Sequence, residues 1–580
     1  MWMSSLPPFI PFFIAAALVL VTRGPLRSLV LVAAPLLGLL HLWFDVQPQV
    51  SMVAAETLIT APGLSYTIGA FGYTLEFMRV DKLSMLFGYL FHIAALMAVI
   101  YALHIKDTIQ QIAGLLYAGS ALGAIFAGDL ITLFIFWEIL ALTSVFLVWA
   151  RRTERAIKTG IRYLIFQVLS GVLLLAGAIV YFDTTGTLDF NYIGLEGLAG
   201  WLIFIAFGIK AAFPLLHGWL VDAYPEATET GSVFLSAFST KLAIYTLARG
   251  YPGTELLIYI GGAMACFPIF YAVIENDLRK VLTYSMINQL GFMVVGVGIG
   301  TALALNGTVA HAFAHVIYKS LLFMSMGAVL YRVGNINGSD LGGLYKTMPW
   351  TATFCIIGAA SISAFPLFSG FVAKSMIMSA TLEGEHFITW LMLLFAAAGV
   401  FHHAGIKIPY FAFFHHDSGL RPAEAPNNML IAMAIAAFLC IAIGVQPQYL
   451  YALLPWQVDY WPYDLSHVLT QLQLLFFSAL AFVWLNKQGM YPPELRSVNI
   501  DIEWLYRKLL PASGHIAVKA MSDFNTFLLS MAQRYLDGCK SLIRTNSLSR
   551  YHLAESWPTG SMVLWIGVIL GAYLVVNALI

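Results

Sequence analysis

WLIFIAFGIKAAFPLL (residues 201–216) is an apolar, helix-forming stretch with Lys210 near its centre and a helix-breaking proline, Pro214, close to its end. After a short acidic loop, a second apolar stretch, VFLSAFSTKLAIYTLA (residues 233–248), carries Lys241. A lysine inside a membrane span costs roughly 2.5–3.5 kcal/mol on insertion scales. Backbone groups freed by a helix break are tolerated only where they face protein or water. Two deep lysines beside a broken helix therefore indicate an ion path.

The composition is that of a helical membrane protein. The chain has 580 residues, of which 60% are hydrophobic and only 10% are charged. This balance excludes a soluble globular class, and the formal net charge of zero gives no reason to expect nucleic-acid binding. Its four cysteines are scattered without metal spacing. There is no glycine-rich phosphate loop and no nucleophile elbow, so we expect no cofactor, no metal and no enzyme chemistry of its own.

Apolar runs long enough to cross a bilayer recur along the chain, and we count about 16 candidate spans. Basic residues concentrate in the loops that follow odd-numbered spans, which by the positive-inside rule lie in the cytoplasm. We therefore predict an all-α, multi-pass protein of the cell (inner) membrane. The predicted spans are 7–22, 27–44, 80–104, 110–128, 130–150, 158–182, 198–217, 229–249, 256–273, 281–300, 301–332, 350–379, 386–414, 427–445, 466–485 and 560–580.

The middle of the chain indicates a duplication. Residues 110–249 and 250–414 each hold five predicted spans, and an odd number of spans forces the two copies into opposite topology. In both copies the fourth span has a lysine near a proline, which is typical of inverted repeats with an ion path at the break. The predicted domains are N-terminal helices 1–109, repeats 110–249 and 250–414, peripheral helices 415–486, a polar segment 487–559 with an amphipathic lateral helix, and a C-terminal span 560–580.

Glu138 lies nine residues past Asp129 in an apolar helix, which places it about 13 Å into the membrane. A buried carboxylate must be protonated or paired, so we expect a nearby lysine as its partner. Lys210, Lys241 and Lys374 are the other deep charges, and each is a candidate for proton exchange. Structural ion pairs or snorkelling lysines are the competing interpretation.

His311, His315 and Lys319 follow i, i+4, i+8 spacing and share one helix face, which suits a proton relay. Structural histidines and a zinc site are the alternatives, and Ala312 stands where the glutamate of a zinc-peptidase motif belongs. Lys407, beside Pro409, is a candidate for an exit path.

At these residues the sequence resembles the antiporter-like subunits of respiratory complex I and of multisubunit Mrp-type sodium/proton antiporters. The resemblance covers about residues 80–414. It rests on the segments VDKLSMLF (80–87), DLITLFIFWEIL (129–140), KAAFPLLHGWLVDAYPEA (210–227), NDLRKVLTYSMINQLGFM (276–293), HAFAHVIYKSLLF (311–323) and FPLFSGFVAKSMI (365–377).

The resemblance assigns a role to each candidate residue. Glu138 and Lys210 are similar to the family's paired glutamate and lysine, and Lys241 to its connecting lysine. Lys374 is similar to the terminal lysine, and together with Lys241 it points to the D-type branch of the Mrp family. The family's central axis corresponds here to His311, His315 and Lys319.

The resemblance implies a subunit of a membrane assembly that moves H⁺ and, as a candidate second ion, Na⁺. We expect a cation/proton antiporter subunit with other membrane subunits as partners. The alternatives are a proton-pumping subunit of a complex I-like NADH:quinone oxidoreductase or membrane-bound hydrogenase, and a proton-path subunit of an inorganic-carbon uptake assembly. Two departures stand out, namely the sequence EATETG after Pro225 and a tail after Lys487 that exceeds the short D-type pattern.

Overall fold

A computed structural model describes residues 6–48, 65–70, 72–496, 499–548 and 558–579. These residues are almost entirely helical, apart from one antiparallel hairpin of β1 (Ser65–Ala70) and β2 (Tyr73–Arg79). The chain divides into two compact units, Met1–Glu503 and Trp504–Ile580.

The first unit contains nineteen α-helices among its described residues. They are α1 (Ile10–Val21), α2 (Gly24–His41), α3 (Lys82–Ala102), α4 (Thr108–Phe126), α5 (Leu130–Trp149), α6 (Glu154–Thr185), α7 (Gly197–Ala211), α8 (Gly218–Ala223), α9 (Gly231–Ala237), α10 (Ser239–Gly250), α11 (Leu256–Ile274), α12 (Leu278–Ile299), α13 (Ala302–Val333), α14 (Pro349–Ile362), α15 (Ser369–Glu383), α16 (Phe387–Val400), α17 (Asn427–Val445), α18 (Gln448–Tyr451) and α19 (Leu465–Lys487). Wider π-type turns extend α2 over Leu42–Val46 and α16 over Phe401–Lys407 and Tyr410–Phe414, and short 3₁₀ turns lie at Gly338–Asp340 and Leu344–Lys346.

The second unit, described by itself, has a π-type turn at Leu505–Leu509 and two helices, α20 (Leu510–Leu548) and α21 (Thr559–Leu579). The stretch predicted to be amphipathic lies within α20, a helix of 39 residues.

The helices confirm a polytopic membrane protein, although not the expected number of spans. Among the described residues, 13 helices are long and apolar enough to cross a membrane, and three shorter apolar helices are Ile10–Val21, Gly197–Ala211 and Pro349–Ile362. Two of the predicted spans, 198–217 and 350–379, are each divided near the prolines at which the sequence predicted a break. The predicted count of about 16 is therefore not confirmed.

The two divided helices break in the same way. Both breaks carry the sequence AFPL, at residues 212–215 and 364–367. In each copy the alanine and the leucine have positive φ, at 62° and 70° in the first break and 57° and 74° in the second. Non-glycine residues rarely adopt this conformation, so its recurrence at matching positions indicates that the break is a specific structural feature of both copies.

A second pair of matching features supports the internal repeat. Asp129 forms an isolated antiparallel bridge with Asp189, and Asp277 forms one with Asn337. Each aspartate also begins a helix by accepting backbone N–H groups, Asp129 for α5 and Asp277 for α12. Because an odd number of crossings separates the two aspartates, they lie at opposite ends of the bundle, as inverted repeats require.

Candidate functional site

The first broken helix places Lys210 beside Trp137 on α5. The Lys210 ammonium is fully buried, donates a hydrogen bond of 2.9 Å to the carbonyl oxygen of Trp137, and lies 4.1 Å from the centroid of the Trp137 ring. Its partner is thus a backbone oxygen and an aromatic face, neither of which carries a full negative charge. The direct ion pair with Glu138 that the sequence predicted is replaced by a contact to the residue next to Glu138.

Glu138 lies near enough to Lys210 for the two charges to interact. Its Oε1 atom is buried and has no hydrogen-bond partner among the described residues. The carboxylate fits against Gly171 on α6, where a Cβ atom would come within 1.5 Å of Oε1. A glycine at position 171 is therefore what leaves room for the carboxylate.

Lys241 lies where the fifth span of the first repeat is interrupted. The helix breaks at Phe238, between α9 and α10, and the break frees carbonyl groups at the end of α9. The buried Lys241 ammonium donates to one of these, the Ser236 oxygen, at 2.6 Å, and to the Thr240 hydroxyl at 3.2 Å. The sequence predicted the lysine and missed the break beside it.

The predicted relay residues on α13 are all fully buried. Lys319 donates to the Ser285 hydroxyl at 2.8 Å, and the ring centroids of His311 and His315 lie 6.1 Å apart. Both ring nitrogens of His315 lack a hydrogen-bond partner in the described part of the chain. A histidine with unoccupied nitrogens inside a bundle is a poor structural anchor, because buried polar groups are normally satisfied.

A hydrogen-bonded series runs from α12 to α13. The Tyr318 hydroxyl lies 3.5 Å from Nε2 of His311 and donates to Oε1 of Gln289 at 3.1 Å. Gln289 in turn donates to Asn288 at 2.5 Å. These amides occupy the helix that corresponds to the Glu138 helix of the first repeat, so the second repeat places neutral hydrogen-bonding groups in that helix.

Lys374 lies on α15, just after the second break. Its ammonium donates to the carbonyl oxygen of Ile362, the last residue of α14, at 2.6 Å. It also lies 5.4 Å from the ring centroid of Phe292, which stacks on His311. Phe292 therefore lies between the terminal lysine and the histidines of α13.

Lys407 is enclosed by the end of α11. It donates to the carbonyl oxygens of Ala272, Val273 and Glu275 at 3.2, 2.7 and 2.7 Å. It also forms a buried ion pair of 3.0 Å with Glu494, which lies beyond α19. Burial raises the pKa of Glu494, while the charge of Lys407 opposes that shift.

Three of the buried lysines share one kind of partner, the freed carbonyl groups of helix ends. Lys241, Lys374 and Lys407 contact carbonyls in or next to the last turn of a helix, where unsatisfied oxygens and the negative end of the helix dipole lie. A carbonyl oxygen accepts a hydrogen bond from a charged ammonium or from a neutral amine. Each of these lysines can thus gain or lose a proton without losing its partner.

A buried ion pair joins the last turn of α10 to the beginning of α3. Arg249 donates to Asp81 at 2.6 Å, and Asp81 begins α3 with a reciprocal bond to Ser84. Burial alone would raise the pKa of Asp81, but Arg249, the backbone N–H of Ser84 and Arg79 together outweigh burial and hold that pKa below its usual range.

Sequence reasoning missed the carboxylates that lie beyond α19. Asp501 accepts hydrogen bonds from His217 and Tyr284, and Glu494 contacts Lys407. They lie in a short polar segment that resembles a linker in sequence, so only the fold reveals their partners. Among the described residues, no group of three or more His, Cys, Asp or Glu side chains is placed to hold a metal ion.

Known proteins share this architecture. Residues 127–401 match the family described as NADH:quinone oxidoreductase/Mrp antiporter, transmembrane region. The fold is similar to a chain of the Mrp complex from a Dietzia species, with a TM-score of 0.67 at 21% identity over 83% of this chain and 99% of that one. It is also similar to a chain of the membrane-bound sulfane sulfur reductase, an archaeal respiratory membrane complex, with a TM-score of 0.72 at 22% identity over 98% of this chain and 100% of that one.

The relatives include both antiporter subunits and subunits of redox enzymes. Hydrogenase-4 component B of Escherichia coli is 27% identical over 64% of this chain and 63% of its own length. A Na⁺/H⁺ antiporter subunit of Alkalihalophilus pseudofirmus, of the D type, is 26% identical over 57% of this chain and 72% of its own length. NAD(P)H-quinone oxidoreductase chain 5 of Synechocystis is 30% identical over 55% of this chain and 54% of its own length.

These matches extend over only part of the relatives. The chain spans less than two thirds of the length of the hydrogenase component and about half of the oxidoreductase chain. Residues 127–401 hold both breaks and the lysines Lys210, Lys241, Lys319 and Lys374, whereas Lys407 lies beyond them. Through residues 127–401, just under half of its length, the chain is therefore similar to the membrane subunits shared by Mrp antiporters and NADH:quinone oxidoreductases.

Proposed function

We propose that the chain is a proton-translocating subunit of a multisubunit Na⁺/H⁺ antiporter of the Mrp type. Protons would move along Glu138, Lys210 and Lys241 in the first repeat, and leave through Lys374 and Lys407 in the second. His311, His315 and Lys319 on α13 would join the two halves. The observation that carries this proposal is the series of fully buried lysines whose partners are mostly backbone carbonyls.

The physical argument concerns the cost of moving charge through an apolar bundle. Burying an ammonium without any partner is prohibitively costly, and a carboxylate within 4 Å, such as Glu494 beside Lys407, holds the charge more firmly than a carbonyl oxygen does. Carbonyl dipoles stabilise the charged lysine only in part, which leaves its protonation open to nearby charges. Glu138 is such a charge for Lys210, and a change in its distance would release or recapture the proton.

The relatives support the choice of antiport. One relative is a Na⁺/H⁺ antiporter subunit, and another is described as a probable K⁺/H⁺ antiporter subunit of Rhizobium meliloti. By this proposal the protein lies in the cell (inner) membrane with other membrane subunits as partners, and H⁺ exchanges for a monovalent cation.

The test replaces Glu138 in the full chain, expressed with its partner subunits. Sodium-dependent proton exchange is measured in inverted membrane vesicles with a pH-sensitive dye. Glu138→Ala should abolish exchange without changing the amount of chain in the membrane. The matched control is Glu154→Gln, which removes an exposed carboxylate that pairs with Lys158 outside the path. Near-normal exchange by the Glu138 variant would refute the proposed path.

A redox-linked proton pump is the second candidate. Its support is that relatives include a hydrogenase component and quinone oxidoreductase chains. Purification of the tagged chain in mild detergent, followed by mass spectrometry of the bound subunits, separates the two functions. Small, cofactor-free membrane subunits support the antiporter, and soluble subunits with iron–sulfur clusters or flavin support the pump.

A further inference from the structure

The segment after α19 lies across the end of the bundle that the positive-inside rule assigns to the cytoplasm. We call it the strap, defined as residues 491–496 and 499–503. It is not helical before its last residue, Glu503, and it is bound at successive points along the first unit. Arg496 pairs with Asp340 at 2.8 Å, and Asn499 donates to Glu275 at 3.3 Å.

The strap buries carboxylates, which is unusual for a connecting segment. Asp501 is only 9% exposed, and Glu494 is buried against Lys407. Desolvation of a carboxylate is costly unless a specific partner compensates it, so a mere tether would place these groups in water. The strap therefore places two buried carboxylates next to specific partners in the first unit.

Asp501 forms hydrogen bonds with residues of both repeats. Nε2 of His217 lies 3.1 Å from its Oδ1 atom, and the Tyr284 hydroxyl donates to its Oδ2 atom at 2.7 Å. His217 follows the first AFPL break and immediately precedes α8, whereas Tyr284 lies on α12 of the second repeat. One carboxylate of the strap thus bridges the broken helix of one half and a span of the other.

His217 has no alternative hydrogen-bond partner within the described residues. Its Nδ1 atom is buried without a partner, and its ring packs on Phe267 with the centroids 4.7 Å apart. Asp501 is therefore the group that can stabilise a protonated His217 ring. Burial alone would raise the pKa of Asp501, but the hydrogen bonds and charge of its partners, His217 first, bring it below its usual value. Asp501 is accordingly a carboxylate that stays ionised beside the His217 ring.

We propose that Asp501 is a positioning residue that holds a proton on His217 at the cytoplasmic entrance of the first half-channel, so that docking of the strap controls proton entry. This inference rests on the proposed function, because it assigns an entrance to that same path. Other titratable groups interact electrostatically with Asp501 or with Tyr284, its second partner, and they include Tyr271, Glu275 and Glu503.

The test uses Asp501→Asn in the complete assembly. Asparagine keeps an oxygen acceptor for His217 and Tyr284 but carries no charge, so docking is retained while the protonated ring loses its counter-ion. An opposite charge at this distance shifts a titration by roughly 1–3 pH units. We expect the limb of the exchange-against-cytoplasmic-pH profile that requires protonated His217 to move towards acid by about that amount. Asp501→Glu should restore most of the profile.

Arg496→Gln provides the matched control, because it removes an exposed ion pair of the same strap that does not touch His217. If both variants lower exchange equally with an unshifted profile, the strap is only a tether and the proposal is overturned.

A second measurement is independent of transport. In the purified assembly with nitrogen-15-labelled histidine rings, the His217 signal is assigned by its loss in His217→Asn. The wild-type ring should be protonated at a neutral pH at which the ring of the Asp501→Asn variant is neutral. An unchanged ring overturns the role of Asp501, even if wild-type vesicles show no cation exchange and the proposed function itself fails.

Discussion

Gly171→Ala should displace the carboxylate of Glu138 without removing it, so it tests whether the position of that group matters. The added Cβ would lie 1.5 Å from Oε1 and 2.6 Å from Cδ of Glu138. Non-bonded heavy atoms need roughly 3.5 Å or more, so the carboxylate must retreat by about 2 Å. The obstructed atom is the far end of a flexible side chain, so the fold can adjust at little cost. Alanine also favours a helix interior over glycine by roughly 0.5–1 kcal/mol.

The expected result is a stable protein that transports poorly. A misplacement of about 1 Å in a reacting group can cost roughly a hundredfold in rate, so exchange should fall at least tenfold, and thermal stability should stay the same or rise. The assay is sodium-dependent proton exchange in vesicles, together with thermal unfolding of the detergent-purified chain. Gly262→Ala is the control, since its Cβ would meet only the flexible end of Met392 at 3.1 Å.

Combining Gly171→Ala with Glu138→Asp tests the steric cause. The shorter side chain withdraws its carboxylate from position 171, so the glycine substitution should cost much less in that background than in the wild type. Such non-additivity is expected of residues in contact. Wild-type exchange in Gly171→Ala would refute the reasoning, because a carboxylate displaced by about 2 Å could not then be a critical proton carrier.

Other predictions concern the ends of the path. Lys407→Met leaves Glu494 buried without its cation and should destabilise the detergent-purified chain by roughly 3–5 kcal/mol in thermal unfolding, whereas adding Glu494→Gln should recover most of that loss; equal destabilisation in both variants would contradict the pairing. Lys374→Glu should reverse the charge of the exit half-channel and reduce proton flux in vesicles at least tenfold; unchanged flux would make this lysine structural. The lowered pKa of Asp81 means that its ion pair with Arg249 stabilises the fold above the usual carboxyl range and is lost as the pH falls through the lowered value. Asp81→Asn should therefore reduce the melting temperature at neutral pH and flatten its fall on acidification; a parallel fall in both proteins would show that another group dominates acid unfolding.

The sequence predicted the deep charges well, because a lysine in an apolar run is conspicuous wherever the chain folds. It predicted the broken helices from their prolines, and the structure places Lys210 and Lys374 at those breaks. It could not predict which atoms the lysines contact. Hydrophobicity and spacing fix the depth of a residue, whereas the partner of Lys374, the Ile362 oxygen, depends on where a helix ends.

The strap was beyond sequence reasoning for a different reason. Its residues have neither hydrophobic periodicity nor a motif, so they are typical of a solvated connection. The acidic loop 222–230 follows an odd-numbered predicted span, where the other loops are basic, and its ion pairs could not be predicted either. In the fold, Asp222 pairs with Arg162 at 2.6 Å, and Glu226 pairs with Arg155 at 2.8 Å. Ion pairs of this kind join residues that are far apart in the sequence and leave no local signal.

Both repeats contain the same helix break, but the lysine beside it differs in position and partner, and this difference bears on the direction of proton movement. Each AFPL break ends a helix and frees carbonyl groups near the middle of the bundle. In the first repeat a lysine, Lys210, lies two residues before the break and interacts with Glu138. In the second repeat the corresponding position is Ile362, whose carbonyl instead receives Lys374 from the far side of the break. One half therefore places its lysine near a carboxylate, whereas the other holds its lysine by a backbone carbonyl and an aromatic ring. By the proposed path, a proton is captured beside Glu138 and passed to Lys374, which has no carboxylate in contact within the described part of the chain.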